Sequence, residues 1–206
     1  MSILRLSHVE LRVPDLELAT AYYCEVVGMI ETGRDDSRVF LKCWDEHQHH
    51  SVVLTHEPTH GLNHLGFKVT DLADLDHYQQ RLEAAGVDVR RYSADEWAPG
   101  HGAAIRFTLP SGQDMELVHG MQQVGNLLPQ TNPPPRPMGL VGIAPPRIDH
   151  VFLTGEEVDT VTAFLVEHLD FRLTERVLGD DGYQIATWLE VSHRSHDIAF
   201  LTGPNA

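Results

Sequence analysis

The chain has 206 residues, which is enough for one large or two small domains with a real core, and we expect two. Its formal net charge of −15 would repel a polyanion over most of the surface, so nucleic acid is excluded as a partner. Only Cys24 and Cys43 are present, which excludes a disulfide framework or a multi-cysteine zinc site and fits a reduced, cytoplasmic setting.

No segment of the sequence predicts export or a membrane span. The opening MSILRLSHVELRV lacks a basic stretch followed by a long apolar core. No later segment approaches the roughly 18 apolar residues that a spanning helix requires. We therefore expect a soluble, cytoplasmic chain with no membrane partner.

The first 57 residues predict a module of one strand, one helix and three more strands. The stretch LSHVELRV alternates, so His8, Glu10 and Arg12 share one face while apolar residues turn to the core. A helix follows in LELATAYYCEVVGM, and DDSRVFLKCWDEHQHHSVVL supplies the later strands.

Residues 61–120 predict a second copy of this module. The strand LNHLGFKV places His64 where the first module has His8, and Gly86 is a C-terminal stop for the next helix. That helix carries apolar residues at helical spacing, namely Leu72, Leu75, Tyr78 and Leu82. The end, AAIRFTLPSGQDMELVHG, predicts strand, turn and strand, with Glu116 on the last strand.

A proline-rich linker at 127–142 separates these copies from a third one at 143–206. The third copy begins with IDHVFLTGEEVDTVTAFLVEHLDF and continues with DDGYQIATWLEVSHRSHDIAF. The match between copies aligns Trp44 with Trp188 and His50 with His196. It also places His150 at the position of His8.

The fold class that follows is α+β, with repeated βαβββ modules. A module of about 55 residues cannot bury its sheet alone, so we expect modules to pair into mixed, open-barrel sheets. The predicted domains are an N-terminal domain at 1–126 with two modules, the linker at 127–142, and an incomplete C-terminal domain at 143–206. The third module is predicted to have no partner within the chain.

The sequence contains fourteen histidines, which favours a function that uses imidazole as a metal ligand or a proton carrier. His8 and His64 come from separate strands, and Glu116 from a third. Two imidazoles and one carboxylate form the set that binds ferrous iron on one face and leaves positions open for substrate and oxygen.

The motifs RDDSRVFLKCWDE, LNHLGFKV, RFTLPSGQDMEL, IDHVFL and SHRSHDIAF resemble those of the catechol 2,3-dioxygenases. These are extradiol ring-cleaving enzymes of the vicinal oxygen chelate superfamily, which also includes the glyoxalases. The resemblance implies Fe(2+) as the cofactor and a homotetramer as the assembly. It also implies a catechol and O2 as reactants and a 2-hydroxymuconic semialdehyde as product. Whether catechol, a methylcatechol or a chlorocatechol is preferred stays open.

In that family the metal lies in the C-terminal pair of modules, so the resemblance assigns His150 as a metal ligand. It assigns His196 as the acid–base histidine beside the metal. Transferring the spacings of the first half places the remaining ligands near positions 210 and 262. We therefore expect a chain cut off within its catalytic domain.

The first half is a competing site, because His8, His64 and Glu116 occupy all three ligand-equivalent positions. His50, which matches His196, favours this alternative. The family's catalytic tyrosine and histidine are replaced here by Arg106 and Trp97, which counts against it. We expect Arg106 to pair with a carboxylate on the sheet surface.

Two other classes of function remain open. Paired modules without a competent metal form a binding module for small hydrophobic ligands or a dimerisation unit. Glyoxalase-type isomerisation requires a second carboxylate ligand, for which Glu10 is the ready candidate. Within the third module we interpret His193 as exposed, and Asp149 and Asp197 as residues that fix the local backbone.

Overall fold

The computed structural model describes residues 2–203 and contains three consecutive copies of the βαβββ module. The first copy has a π-helical turn, Tyr22–Val27, that continues its helix. Its elements are β1 (Ile3–Val13), α1 (Leu16–Ala21), β2 (Ile30–Arg34), β3 (Arg38–Lys42) and β4 (Val52–His56).

The second and third copies repeat the same order of elements. The second contains β5 (Gly61–Val69), α2 (Leu72–Ala84), β6 (Arg90–Tyr92), β7 (Ala103–Thr108) and β8 (Asp114–His119). The third contains β9 (Val151–Gly155), α3 (Val158–Leu169), β10 (Arg172–Leu178), β11 (Gln184–Glu190) and β12 (Ile198–Thr202). The α+β class and the threefold βαβββ repeat predicted from the sequence are confirmed.

All three modules share one strand topology. The last three strands of each form an antiparallel meander, and the last strand then pairs in parallel with the first. The resulting orders are β2-β3-β4-β1, β6-β7-β8-β5 and β10-β11-β12-β9. This identity of topology shows that the repeat seen in the sequence is a structural repeat.

The chain divides into two compact units. The larger unit contains the described parts of residues 1–7, 64–120 and 149–206, and thus most of the second module and the third. The smaller unit contains residues 8–63 and 121–148, and thus most of the first module. The domain boundaries predicted from the sequence stay a prediction.

In the smaller unit, the proline-rich segment lies against the first module. The indole Nε1 of Trp44 donates to the carbonyl of Ala144 at 3.1 Å, and the amide of Ile143 donates to the carbonyl of Val26 at 3.0 Å. Gly28 and Gly142 both have positive φ, and a side chain at either would collide with backbone of the facing segment. Between β8 and β9 no helix or strand occurs among the residues described.

In the larger unit, the second module buries the residues that the sequence predicted for its core. Strand β5 has alternate apolar residues with no exposure, Leu65, Phe67 and Val69. Helix α2 buries Leu75, Tyr78 and Leu82, but Leu72 at its first position is 50% exposed, contrary to its predicted place on the core face. Gly86 follows α2 with a φ of +80°, as expected of a helix stop.

The third module packs against the second, contrary to the expectation that it has no partner. The ring of Phe171 lies edge-on to that of Phe67, with centroids 5.2 Å apart. Asp170, in the left-handed conformation that ends α3, accepts from Tyr78 Oη at 2.9 Å and from Arg81 Nη1 at 2.6 Å. These contacts join α2 and α3 within one unit.

The rest of the third module is more open. Every residue of β10 is exposed, and on β9 Phe152 is 53% exposed. Its core is formed by α3 and the inner faces of β11 and β12, including Leu165, Leu189 and Phe200. Within residues 2–203, the helices lack the length and apolar character that a membrane crossing needs.

Truncation of Phe171 tests the contact between the second and third modules. Phe171→Ala removes a ring that is 2% exposed, and the resulting cavity should lower the free energy of unfolding by about 3–5 kcal/mol. Phe152→Ala, on the same module, is the matched control and should change it by less than about 0.5 kcal/mol. Urea unfolding followed by tryptophan fluorescence measures both, and equal effects would contradict the packing described.

Candidate active site

The candidate site lies at the start of β9, where His150 directly precedes the strand. Strand β9 pairs in parallel with β12, and Val151 lies opposite Ile198. The residues just before these two strands therefore lie side by side. They are His150 on one chain segment and Asp197, preceded by His196, on the other.

The rings of His150 and His196 are in contact. Their centroids are 4.5 Å apart and their planes are inclined at 65°. His150 is exposed and His196 is partly exposed, so both imidazoles are accessible from the open side of the third module. The structure thus brings together the two site residues that the sequence selected from distant positions.

The loop that carries His196 is shaped by a buried carboxylate. Asp197 is 0% exposed, and its side chain accepts from the amides of Val191 and Ser192 and from the Ser192 hydroxyl, each at 2.8 Å. Hydrogen bonds to a buried carboxylate are among the stronger ones in proteins. Asp197 therefore fixes the local backbone, as predicted. His193, in the same loop, is exposed, which is also as predicted.

A second carboxylate links this loop to His150. Asp149 Oδ2 lies 3.0 Å from His150 Nδ1, and Asp149 Oδ1 lies 2.5 Å from Arg194 Nη1. The same Nη1 of Arg194 donates to the backbone carbonyl of Asp149 at 2.9 Å. The sequence suggested a backbone role for Asp149, but it gave no signal for Arg194, which is one charged residue in a polar loop.

The first module repeats the histidine pair in a closed setting. Val9 pairs with Val52 as Val151 pairs with Ile198, which puts His8 and His50 at the places of His150 and His196. The rings of His8 and His50 are 5.4 Å apart and nearly perpendicular. Both are fully buried, so this pair differs from the third-module pair in its access to solvent.

In the second module the candidate ligands form an ion-pair network. Glu116, which is 0% exposed, contacts Arg106 Nη2 at 2.7 Å and His101 Nε2 at 2.9 Å. The Arg106 guanidinium also lies 3.2 Å from His64 Nε2, and His64 Nε2 lies 3.9 Å from Glu116. The expectation that Arg106 pairs with a surface carboxylate is wrong, since its partner is the buried Glu116 itself.

Aromatic rings surround this network and lower its contact with water. Trp97 packs edge-on against His64 and His101, with centroid distances of 5.3 and 4.7 Å. The guanidinium of Arg106 lies over the rings of Trp97 and Tyr92. The positive charge of Arg106 therefore already balances the Glu116 carboxylate in the second module. His101 is a member that sequence reasoning missed, because it is not on a predicted strand.

His150 fits the requirements of one metal ligand, with a carboxylate at its other ring nitrogen. This arrangement, in which a carboxylate orients a ligating histidine, is the usual one around protein metal sites. Among residues 2–203, however, His150 and His196 belong to no group of three histidine, cysteine or acidic side chains whose ligand atoms lie within 4.8 Å of one another. The third module thus places two accessible imidazoles and one carboxylate side by side.

Comparison with known proteins points to the family that the sequence motifs resemble. Residues 62–120 match the family model described as the catechol 2,3-dioxygenase-like N-terminal domain. The chain is 38% identical over 204 residues to a metapyrocatechase of Pseudomonas sp. (strain CF600), covering 98% of this chain and 66% of that protein. It superposes with a TM-score of 0.94 on the 2,3-dioxygenase LapB from Pseudomonas sp. KL28, at 40% identity, covering 100% of this chain and 72% of that one.

The chain belongs to the catechol 2,3-dioxygenase family. The vicinal oxygen chelate fold expected from the sequence is confirmed by this superposition. The chain spans about two thirds of the length of the curated relatives that it matches. A further relative, from Geobacillus genomosp. 3, is named a manganese-dependent 2,3-dihydroxybiphenyl 1,2-dioxygenase, at 28% identity over 98% of this chain and 64% of that protein.

The Arg106–Glu116 pair of this family member offers a direct test of the network. Arg106→Met leaves a buried carboxylate without its main cation, so it should lower the free energy of unfolding by about 3 kcal/mol. Adding Glu116→Gln should recover part of that loss, so the two changes should be non-additive by about 0.5–3 kcal/mol. Urea unfolding of both single variants and the double variant measures the coupling.

Arg34→Met is the control for this cycle, because Arg34 is 44% exposed in its contacts with Glu17 and Glu31. Exposed pairs contribute about 0–1 kcal/mol. Additive effects of Arg106→Met and Glu116→Gln, or an Arg34→Met effect as large as that of Arg106→Met, would count against the network.

Proposed function

We propose that this chain carries part of the catalytic machinery of an extradiol dioxygenase. The reaction is cleavage by O2 of catechol, or of a substituted catechol, adjacent to the diol, giving a 2-hydroxymuconic semialdehyde in aromatic degradation. The observation that carries the proposal is the contact between His150 and His196, whose centroids are 4.5 Å apart at the open end of β9. The metapyrocatechase relative supports the substrate class.

The metal proposed for the site is Fe(2+), with His150 as one ligand. The neutral imidazole suits a divalent transition metal, and Asp149 at Nδ1 leaves Nε2 as the ligating atom. When bound, the metal supplies Lewis acidity and open positions for the catechol oxygens and O2. Manganese is the alternative ion, since one relative is named as manganese-dependent.

His196 is proposed as the acid–base residue of the reaction. Its Nδ1 lies 3.2 Å from Ser195 Oγ, so its Nε2 is the nitrogen available to substrate on the open side of the module. An imidazole nitrogen can accept a proton or donate one, so it can take a proton from a bound diol and return it later. Contact with the His150 ring keeps that proton carrier next to the metal ligand.

The contacts also bear on the rival functions. A metal site in the first half would have to share Glu116 with Arg106, which pairs with that carboxylate at 2.7 Å. Glyoxalase-type isomerisation would use Glu10 as a ligand, but Glu10 is 2% exposed and accepts from Thr55 Oγ1 at 2.5 Å. A metal-free binding module leaves the accessible histidine pair without a role.

Partners and location are proposed on the same basis. A catechol-type small molecule and O2 are the reactants, and a cytoplasmic homotetramer is the proposed assembly. The open strands of the third module, with all of β10 exposed, are consistent with further burial by another segment or subunit.

A chimaera provides the test of activity. Residues 1–206 are joined to the part of the Pseudomonas sp. (strain CF600) metapyrocatechase that this chain does not match, and the product is loaded anaerobically with ferrous iron. Catechol and air should then give the yellow ring-cleavage product. His196→Ala should lower kcat by about 10²–10⁴-fold, as for loss of a general acid–base group. His193→Ala, in the same loop, should leave kcat unchanged.

Iron content and circular dichroism establish that each chimaera is folded and loaded before assay. A folded, iron-loaded chimaera that makes no product would contradict the proposed function. Loss of iron in His64→Ala but not in His150→Ala would move the site to the first half of the chain.

A further inference from the structure

A continuous series of hydrogen bonds runs from the buried Asp197 to His150. Asp197 Oδ1 accepts from the Ser192 hydroxyl at 2.8 Å, and Ser192 Oγ accepts from the amide of Arg194 at 3.3 Å. The side chain of Arg194 then reaches both a carboxylate oxygen and the carbonyl of Asp149. Asp149 contacts His150 through its second carboxylate oxygen. The loop that carries His196 is therefore joined to His150 through these contacts.

The donors and acceptors in this series fix the state of the His150 ring. The two oxygens of an ionised carboxylate only accept hydrogen bonds. With Arg194 donating to Oδ1, the contact of 3.0 Å at Oδ2 requires His150 to carry its proton on Nδ1. Neutral imidazole then has its lone pair on Nε2. Without such a partner, a neutral histidine in water favours the opposite tautomer.

We propose that Asp149 and Arg194 are positioning residues, which hold His150 with Nδ1 protonated and Nε2 presented as the ligating atom. This inference rests on the proposed function for its consequence, but the tautomer itself is a property of the chain without metal. Arg194 acts through Asp149 in two ways. It donates to Oδ1, which leaves Oδ2 facing His150 Nδ1, and its second contact, to the backbone carbonyl, sets the direction in which that carboxylate points.

The same arginine couples the two histidines. Arg194 lies two residues before His196, in the loop that Asp197 anchors, and it contacts the residue before His150. A change in Arg194 should therefore alter both the tautomer of His150 and the distance between the rings. The side chains of Arg194 and Asp149 are 27% and 59% exposed, so dissolved salt should weaken the ion pair between them.

The test is nitrogen-15 NMR of the histidine rings in the 206-residue chain, at a pH where imidazole is neutral and at low salt. Nδ1 and Nε2 have distinct shifts in the two tautomers, so the spectrum reports the proton directly. His150 should be mainly Nδ1-protonated. Asp149→Ala should change the tautomer ratio by about fivefold towards Nε2–H, as expected for loss of one charge-assisted hydrogen bond.

Arg194→Met should give a change in the same direction, and Arg194→Lys should restore part of it, because lysine still donates to a carboxylate. The control is Arg172→Met, which breaks an arginine–carboxylate contact of 2.8 Å with Glu190 in the same module. It should leave the His150 spectrum unchanged. Heteronuclear correlation spectra of the backbone confirm that each variant is folded.

A His150 ring that is mainly Nε2-protonated in the parent chain would overturn the proposal. So would a tautomer ratio that Asp149→Ala and Arg194→Met leave unchanged. Neither result depends on metal or turnover, so failure here is distinct from failure of the proposed function. An inactive chimaera with the expected tautomer shifts would refute the dioxygenase activity and leave the positioning role in place.

Discussion

The parallel pairing of the first and last strands in each module is the constraint on which the candidate site depends. Because Val151 lies opposite Ile198, residues almost fifty positions apart in sequence begin their strands side by side. Any side chain just before either strand is then close to the other. The contact of His150 with His196 follows from this register.

The three modules use that constraint in different ways. In the first, the equivalent pair His8 and His50 is fully buried. In the second, Glu116 is held by Arg106 and surrounded by aromatic rings. In the third, His150 is exposed and His196 is partly exposed. The three modules thus share one strand topology but differ in the side chains around the equivalent positions.

Much of the fold follows from sequence patterns because each module is short and locally consistent. Alternation in LNHLGFKV predicted the buried face of β5, and Gly86 predicted the end of α2. The resemblance to the family selected His150 and His196, and comparison of the repeats aligned them with His8 and His50. Periodicity gives the face of a residue but not the partner that its side chain reaches, so the pairing of Arg106 with the buried Glu116 was not predicted. The role of Arg194 depends on the reach of a long side chain, and spacing along the chain contains no such information.

The most direct test of the account is paramagnetic NMR of the 206-residue chain, with Mn²⁺ added at far below one equivalent. Fast exchange lets a small amount of ion broaden resonances near even a weak site, so the fourteen histidine rings report where the ion prefers to bind. If the third module holds the metal position, the His150 ring should broaden first and the His196 ring with it. Earlier broadening of His64 would place the metal in the second module and contradict the account.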